Sequence, residues 1–197
     1  MANENIHPWI HLWVKPRKTI RTLLNTDPKK FVAVLAILGG IFSAFLFAAH
    51  SWHTPRNGWY IALATVTLIV IGGVIGLVHL YFSSWLLSLT GSWLGGKGDF
   101  TSVKCAVGWS NYPFIIADIF AILMAIFFRN VWLAAFFGLL NVILLIWGFI
   151  VFFKIVGESL QISAWKAFLA LIIAFILIFV VMILVALIIP LISPLFK

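Results

Sequence analysis

Between Phe31 and Ile189 the sequence passes through five long stretches almost free of charge. They are Phe31 to Ala49, Trp59 to Leu80 with an extension towards Leu89, Cys105 to Phe128, Trp132 to Phe153, and Ala167 to Ile189. A helix needs about 20 apolar residues to cross a hydrocarbon core of about 30 Å. Within lipid each backbone N–H and C=O must find an internal partner, so such stretches are expected as helices. The connections are short, which makes consecutive helices antiparallel. The pattern predicts an all-α membrane protein: a five-transmembrane-helix bundle with an N-terminal interfacial amphipathic helix. Residues 1–30 read as a cytoplasmic or interfacial segment and residues 31–197 as the five-span membrane domain.

Composition removes the main competing classes. Only 9% of residues are charged, against about 25% in soluble domains, so no second, aqueous domain is expected. The net charge of +8 could suggest nucleic acid, but that needs a solvated basic face. Here the charges sit in short segments between apolar runs. The expected partners are the lipid bilayer and, at the cytoplasmic face, anionic headgroups. A protein partner or a homo-oligomer stays open, and no nucleic acid is expected. The single cysteine, Cys105, allows no intramolecular disulfide. No cleavable signal peptide is expected from the opening residues, which are polar and aromatic with the basic residues late.

The positive charges give an orientation. Ten of the 13 Lys and Arg residues fall in segments that five antiparallel spans place on one side: Lys15, Arg17, Lys18, Arg21, Lys29, Lys30, Lys97, Lys104, Lys154 and Lys166. Arg56, Arg129 and Lys197 fall on the other. The bias puts the N-terminus in the cytoplasm and the C-terminus outside.

Ahead of the first span, Pro16 suits a first helical position. Ile20, Leu23 and Leu24 share one face, while Arg17, Lys18 and Arg21 lie mostly on another. Trp9 and Trp13 are one turn apart just upstream. The segment reads as an amphipathic helix in the interface, with Trp9, Trp13, Arg17, Lys18 and Arg21 as its anchors. A flexible basic tail is the competing reading. The segment from Lys154 to Lys166 reads as interfacial too, with Ser163 placed to cap the fifth helix.

Three groups of residues invite chemistry. Gly91 to Gly98 nearly spells a phosphate-binding loop, but Gly98 stands where a magnesium-binding Ser or Thr is needed, and the segment follows an apolar helix instead of a strand. Nucleotide binding is rejected, and Gly95, Gly96, Lys97 and Gly98 are read as a sharp cytoplasmic turn. The pairs His7/His11 and His50/His53 have metal-compatible spacing but no further ligand nearby in sequence. Asp118 is the third case, a carboxyl inside a span, where acids are costly and face protein or water. Lys104, Asn111 and Asp118 follow at intervals of seven on one helix that also holds Pro113. Asn141 lies at the depth of Asp118 on the next helix. Asp118, Asn141 and Asn111 are thus a candidate polar site, serving either a structural Asp118–Asn141 hydrogen bond or a proton or ion. Gly72 and Gly76, with Gly39 and Gly40, allow close helix approach. No catalytic group, metal or cofactor is expected.

One motif carries a family resemblance. Gly95-Gly96-Lys97-Gly98-Asp99-Phe100, followed by Val107-Gly108-Trp109-Ser110-Asn111-Tyr112-Pro113, resembles the Yip family, five-span membrane proteins named for interaction with Ypt/Rab GTPases. Trp13-x-x-Pro16-x-x-Thr19 and Ile162-Ser163-x-x-Lys166-Ala167 echo it more weakly. The resemblance implies a short, bacterial-type member of the inner (cytoplasmic) membrane. The long cytosolic N-terminal region and the Asp-Leu-Tyr-Gly-Pro-like motif of eukaryotic members do not appear, so Rab binding is not carried over. Two functions follow as expectations. One is a non-enzymatic protein acting in membrane organisation or as a binding scaffold, with the cytoplasmic Gly-rich turn, the N-terminal helix and the loop between the fourth and fifth spans as its working face, and Gly95, Gly96, Lys97, Gly98 and Pro113 as its candidate cytoplasmic motif. The other is a small transporter or lipid-translocating protein using Asp118 and Asn141.

Overall fold

In the computed structural model, residues 7–49 and 58–192 are described, the side chains of 49 and 189–192 excepted. The pair His50/His53, together with Arg56 and Lys197, lies outside the described residues. The described chain is helical and contains no strand: α1 Pro8–Val14, α2 Pro16–Thr26, α3 Val32–Ala49, α4 Gly58–Trp93, α5 Phe100–Ile126, α6 Val131–Ser159 and α7 Ala164–Ile192. Four of these, α4 to α7, are long and apolar enough to cross a membrane. The first expected span, α3, is shorter, with 18 residues, and reaches about 27 Å at 1.5 Å per residue. Helix α4 departs in the other direction. It has 36 residues, about 54 Å, and so extends well past a core of about 30 Å.

The N-terminal segment forms two helices where the sequence suggested one. Lys15 precedes Pro16, and a residue before proline is driven out of the α-region; its φ of −126° and ψ of 57° break the chain there. The apolar side of α2 does not wait for lipid. Ile20 and Leu23, with Leu12 of α1, are buried in the same core cluster as Trp109, Val151 and Ile155 of the long helices, and α2 packs on α6 and α5. Lys15, Arg17, Lys18 and Arg21 stay exposed on its other side.

Helix α3 packs on α4 and α5. Its closest approach is to α4 at Gly40, Gly72 and Gly76: a Cβ on Gly76 would run into the Ala36 carbonyl, and one on Gly40 into the Gly72 carbonyl. Here the small residues serve packing within the chain. Helices α4, α5, α6 and α7 form a ring in which each packs on two neighbours, α4 on α5, α5 on α6, α6 on α7 and α7 back on α4. The diagonal pairs make at most marginal contact. Local chemistry starts three of the helices. Asp99 accepts from the Ser102 N–H and hydroxyl, Asn130 from the N–H groups of Trp132 and Leu133, and Ser163 from the Lys166 N–H at 3.2 Å. Each satisfies orphan donors of a first turn.

Candidate functional site

Two helix ends meet at one end of the ring, and both finish in the same way. At the end of α4, the Gly95 N–H bonds the Ser92 carbonyl at 3.0 Å and the Gly96 N–H bonds the Gly91 carbonyl at 2.9 Å. At the end of α6, the Gln161 N–H bonds the Glu158 carbonyl at 3.1 Å and the Ile162 N–H bonds the Gly157 carbonyl at 2.8 Å. Both are Schellman caps, which need one left-handed residue. Gly95 takes that position with a φ of 88°, and Gln161 takes it with a φ of 58°.

The two caps interlock. The Lys97 N–H donates to the Leu160 carbonyl at 3.0 Å. A Cβ on Gly98 would strike the Ser159 carbonyl, and one on Gly91 would sit 2.7 Å from Leu160 Cδ1. Helix C-termini carry partial negative charge, so joining two calls for cations. Lys166 Nζ donates to the Leu94 carbonyl at 3.2 Å. Arg21 of α2 donates from Nε and Nη2 to one oxygen of Glu158, at 2.8 and 2.5 Å. The Gly-rich turn, the α6–α7 turn and α2 are thereby joined, although 137 residues separate Arg21 from Glu158. The glycines read as a phosphate-loop lookalike are spent on a left-handed turn and a backbone contact.

An aromatic cluster secures α1 beside this end. The Trp9 ring lies 4.9 Å from Trp109, 5.0 Å from Tyr112 and 5.5 Å from Phe31, and Trp13 lies 5.8 Å from Tyr112. The indoles proposed as headgroup anchors therefore have protein neighbours on α5. The Trp147 indole N–H also donates to the Trp13 carbonyl at 3.2 Å. Trp109 is fully buried, and its Nε1 has no hydrogen-bond partner among the described residues.

The polar residues within the helices do not assemble as the sequence suggested. Asn141 Nδ2 donates to the Ala117 carbonyl at 2.7 Å, not to the neighbouring Asp118 carboxyl. The depth match holds, but Ala117 is the fully buried residue at this point of α5, and a step of one residue turns Asp118 by about 100°. Asp118 is half-buried and has no side-chain hydrogen bond to any described residue. Asn111 donates back to its own helix, to the carbonyls of Val107 at 3.0 Å and Gly108 at 3.2 Å. Lys104 lies over the rings of Tyr81 and Phe100, at 5.1 and 5.4 Å. Helix α5 continues through Pro113. Among the described residues no group of three His, Cys, Asp or Glu side chains could hold a metal ion.

Residues 10–186 match the Yip1 domain. The chain belongs to the Yip1 family. No curated protein and no solved structure matches it. For this Yip1-family membrane protein the Gly-rich motif that carried the resemblance is the segment that closes one end of the bundle. The sequence alone groups this turn with the N-terminal helix and the segment from Lys154 to Lys166 on one face, but not through these contacts. Gly157 and Glu158 stand in the last turn of α6 and Gln161 in its cap, inside the stretch expected as an interfacial segment. A cap at this position could have been suspected from Gly157-Glu158-Ser159 at the end of an apolar run, but which turn it locks against is not written in either segment.

Proposed function

We propose that this Yip1-family protein is a non-enzymatic binding scaffold acting in membrane organisation. Its working face is the end where the Gly91 to Lys97 turn, the α6–α7 turn and α2 are joined. The observation that carries this reading is the interlock itself: Lys97 to Leu160, Lys166 to Leu94, and Arg21 to Glu158. Three segments distant in sequence are held as one rigid patch, and a pre-organised patch binds at lower entropic cost than loose loops. Exposed on or beside it are Lys97, Trp93, Gln161, Arg17 and Lys18, a mixture of cationic and aromatic groups suited to an acidic protein segment or anionic headgroups. The charge bias supports a cytoplasmic position for this face, with five spans and the N-terminus inside, and the resemblance to short, bacterial-type members supports a bacterial inner membrane as the setting.

The test is comparative purification in mild detergent. Lys97→Glu should lose a protein or lipid that co-purifies with the wild type, while Val142→Ala on an exposed helix face should retain it. An identical co-purifying set for all three proteins would reject the reading. Transport through Asp118 is the second reading, and one observation favours it: an intramembrane acid without a hydrogen-bonded partner among the described residues suits an exchanging ion better than a structural bond. Asp118→Asn separates the two. A folded variant with complete loss of the cellular phenotype would select transport.

A further inference from the structure

The ring of α4, α5, α6 and α7 encloses a cavity of about 450 Å³, within the size range of small-molecule sites, about 300–1,000 Å³. Its walls differ. Helices α4 and α5 contribute His79, Ser83, Ser110 and Asn111, whereas α6 and α7 contribute only apolar side chains, among them Phe149, Phe152 and Ala174. Phe82 of α4 and Phe175 of α7 also line the cavity yet are exposed on the outside of the bundle. They lie on the two helices of the α4–α7 seam, the side from which a chain in the bilayer would enter. His79 stands there too, exposed, with no hydrogen bond from its ring to any described residue. Deeper in, Leu87, Val107 and Ser110 line the cavity and are buried from the outer surface.

These features constrain the occupant. A void of this size left empty forfeits dispersion contacts on every wall. Water is a poor filling, because each buried water needs two to four polar partners and one wall offers none. An imidazole facing hydrocarbon also needs an oxygen or nitrogen partner. A molecule with an apolar chain and an oxygen-bearing head meets both demands, and the bilayer supplies it at high concentration.

We propose that the chamber binds one acyl chain of a bilayer phospholipid. The chain enters between Phe82 and Phe175, lies against the aromatic wall, and leaves an ester or phosphate oxygen to accept a hydrogen bond from His79. This site is separate from the interlocked turns, so the chamber and the scaffold face fail independently.

The test uses the full chain in vesicles of phosphatidylethanolamine and phosphatidylglycerol, doped with phosphatidylcholine carrying a diazirine on its acyl chain. After illumination, the labelled residues are mapped by mass spectrometry. Annular lipid can reach Val70 and Phe136 but not Leu87, Val107 or Ser110, so label on the latter three reports the chamber. Ala174→Phe fills the cavity from α7 and should lower chamber labelling about tenfold, leaving Val70 unchanged. If that variant fails to fold, as read by its thermal transition in detergent, Ser83→Phe fills the same space from α4. His79→Leu should lower chamber labelling severalfold, and His79→Gln, which keeps a donor, should recover much of it. Unlabelled chamber residues in the wild type, or chamber labelling unchanged in a folded cavity-filling variant, would overturn the proposal. Equal labelling in His79→Leu and the wild type would overturn the role of His79.

Discussion

Arg21 places two hydrogen bonds, at 2.8 and 2.5 Å, on a single oxygen of Glu158, and this ion pair ties α2 to the last turn of α6. Arg21 is 69% exposed and Glu158 17%, so solvent screens the pair from one side. Exposed pairs are worth about 0–1 kcal/mol. Arg21→Ala and Glu158→Gln should each cost up to about 1 kcal/mol, and the double variant no more than the larger single loss. Hydrogen exchange of the α2 amides in detergent is the sensitive readout, because the pair holds α2 down more than it holds the bundle together. Additive losses in the cycle would argue against a direct pair.

The two Schellman caps allow a test of opposite signs. Gly95 and Gln161 hold the same left-handed position, where a side chain costs roughly 1–2 kcal/mol. Gly95→Ala should lower stability by about 1 kcal/mol. Gln161→Gly should raise it by about 0.5 kcal/mol, the relief being partly offset by greater freedom of the unfolded chain. Thermal transitions in one detergent would settle both, and shifts of the same sign would contradict the shared geometry.

At the α3–α4 crossing, Gly76→Leu has nowhere to place its side chain, since even a Cβ meets the Ala36 carbonyl and lies 3.1 Å from Gly40 Cα. Overpacking of this kind costs about 1–3 kcal/mol, and backbone on the opposing side leaves little to yield. Gly58→Ala is the control, because a Cβ there meets nothing within 4 Å. Folded yield and thermal stability should fall for the first and stay level for the second.

Asn141 and Asp118 should behave as independent residues. Asn141→Leu removes the bond to the Ala117 carbonyl and should cost about 0.6 kcal/mol, the average for such intramembrane bonds. Asp118→Asn removes no hydrogen bond to a described residue and should leave thermal stability nearly unchanged. Combined, the two effects should add. A coupling well above that average would restore a direct Asp118–Asn141 contact.

At the start of α5, the hydrogen bond from the Ser102 hydroxyl, with backbone N–H groups assisting, holds the Asp99 carboxyl below the usual carboxylate range, while partial burial opposes the shift. A depressed folded pKa means that ionised Asp99 stabilises the fold above the unfolded value of about 3.9 and loses that contribution as pH falls through the folded value. Asp99→Ala should therefore cost about 1 kcal/mol or less at neutral pH. The gap between its thermal transition and that of the wild type should narrow in acid.

The apolar runs and their spacing determined the membrane class, the helical state and the approximate limits of the long helices, because those depend on local composition and on backbone satisfaction in lipid. Ser163, expected as a cap, is equally local, and Asp99 and Asn130 start α5 and α6 by the same local chemistry. Tertiary structure decided what each shared feature was used for. Amphipathicity in α2 says that one face must be buried, but whether lipid or α6 buries it depends on a surface far along the chain. The heptad from Lys104 through Asn111 to Asp118 aligns three polar groups on one helix, yet their partners differ: the rings of Tyr81 and Phe100 for Lys104, its own backbone for Asn111, and no hydrogen-bonded side-chain or backbone group among the described residues for Asp118. Depth matched Asn141 to the right turn of α5, while helix rotation chose Ala117 over Asp118. The interlock of Gly98 with Ser159, and the chamber within the ring, arise from how whole helices pack, and that is a relation between distant segments which neither segment encodes alone.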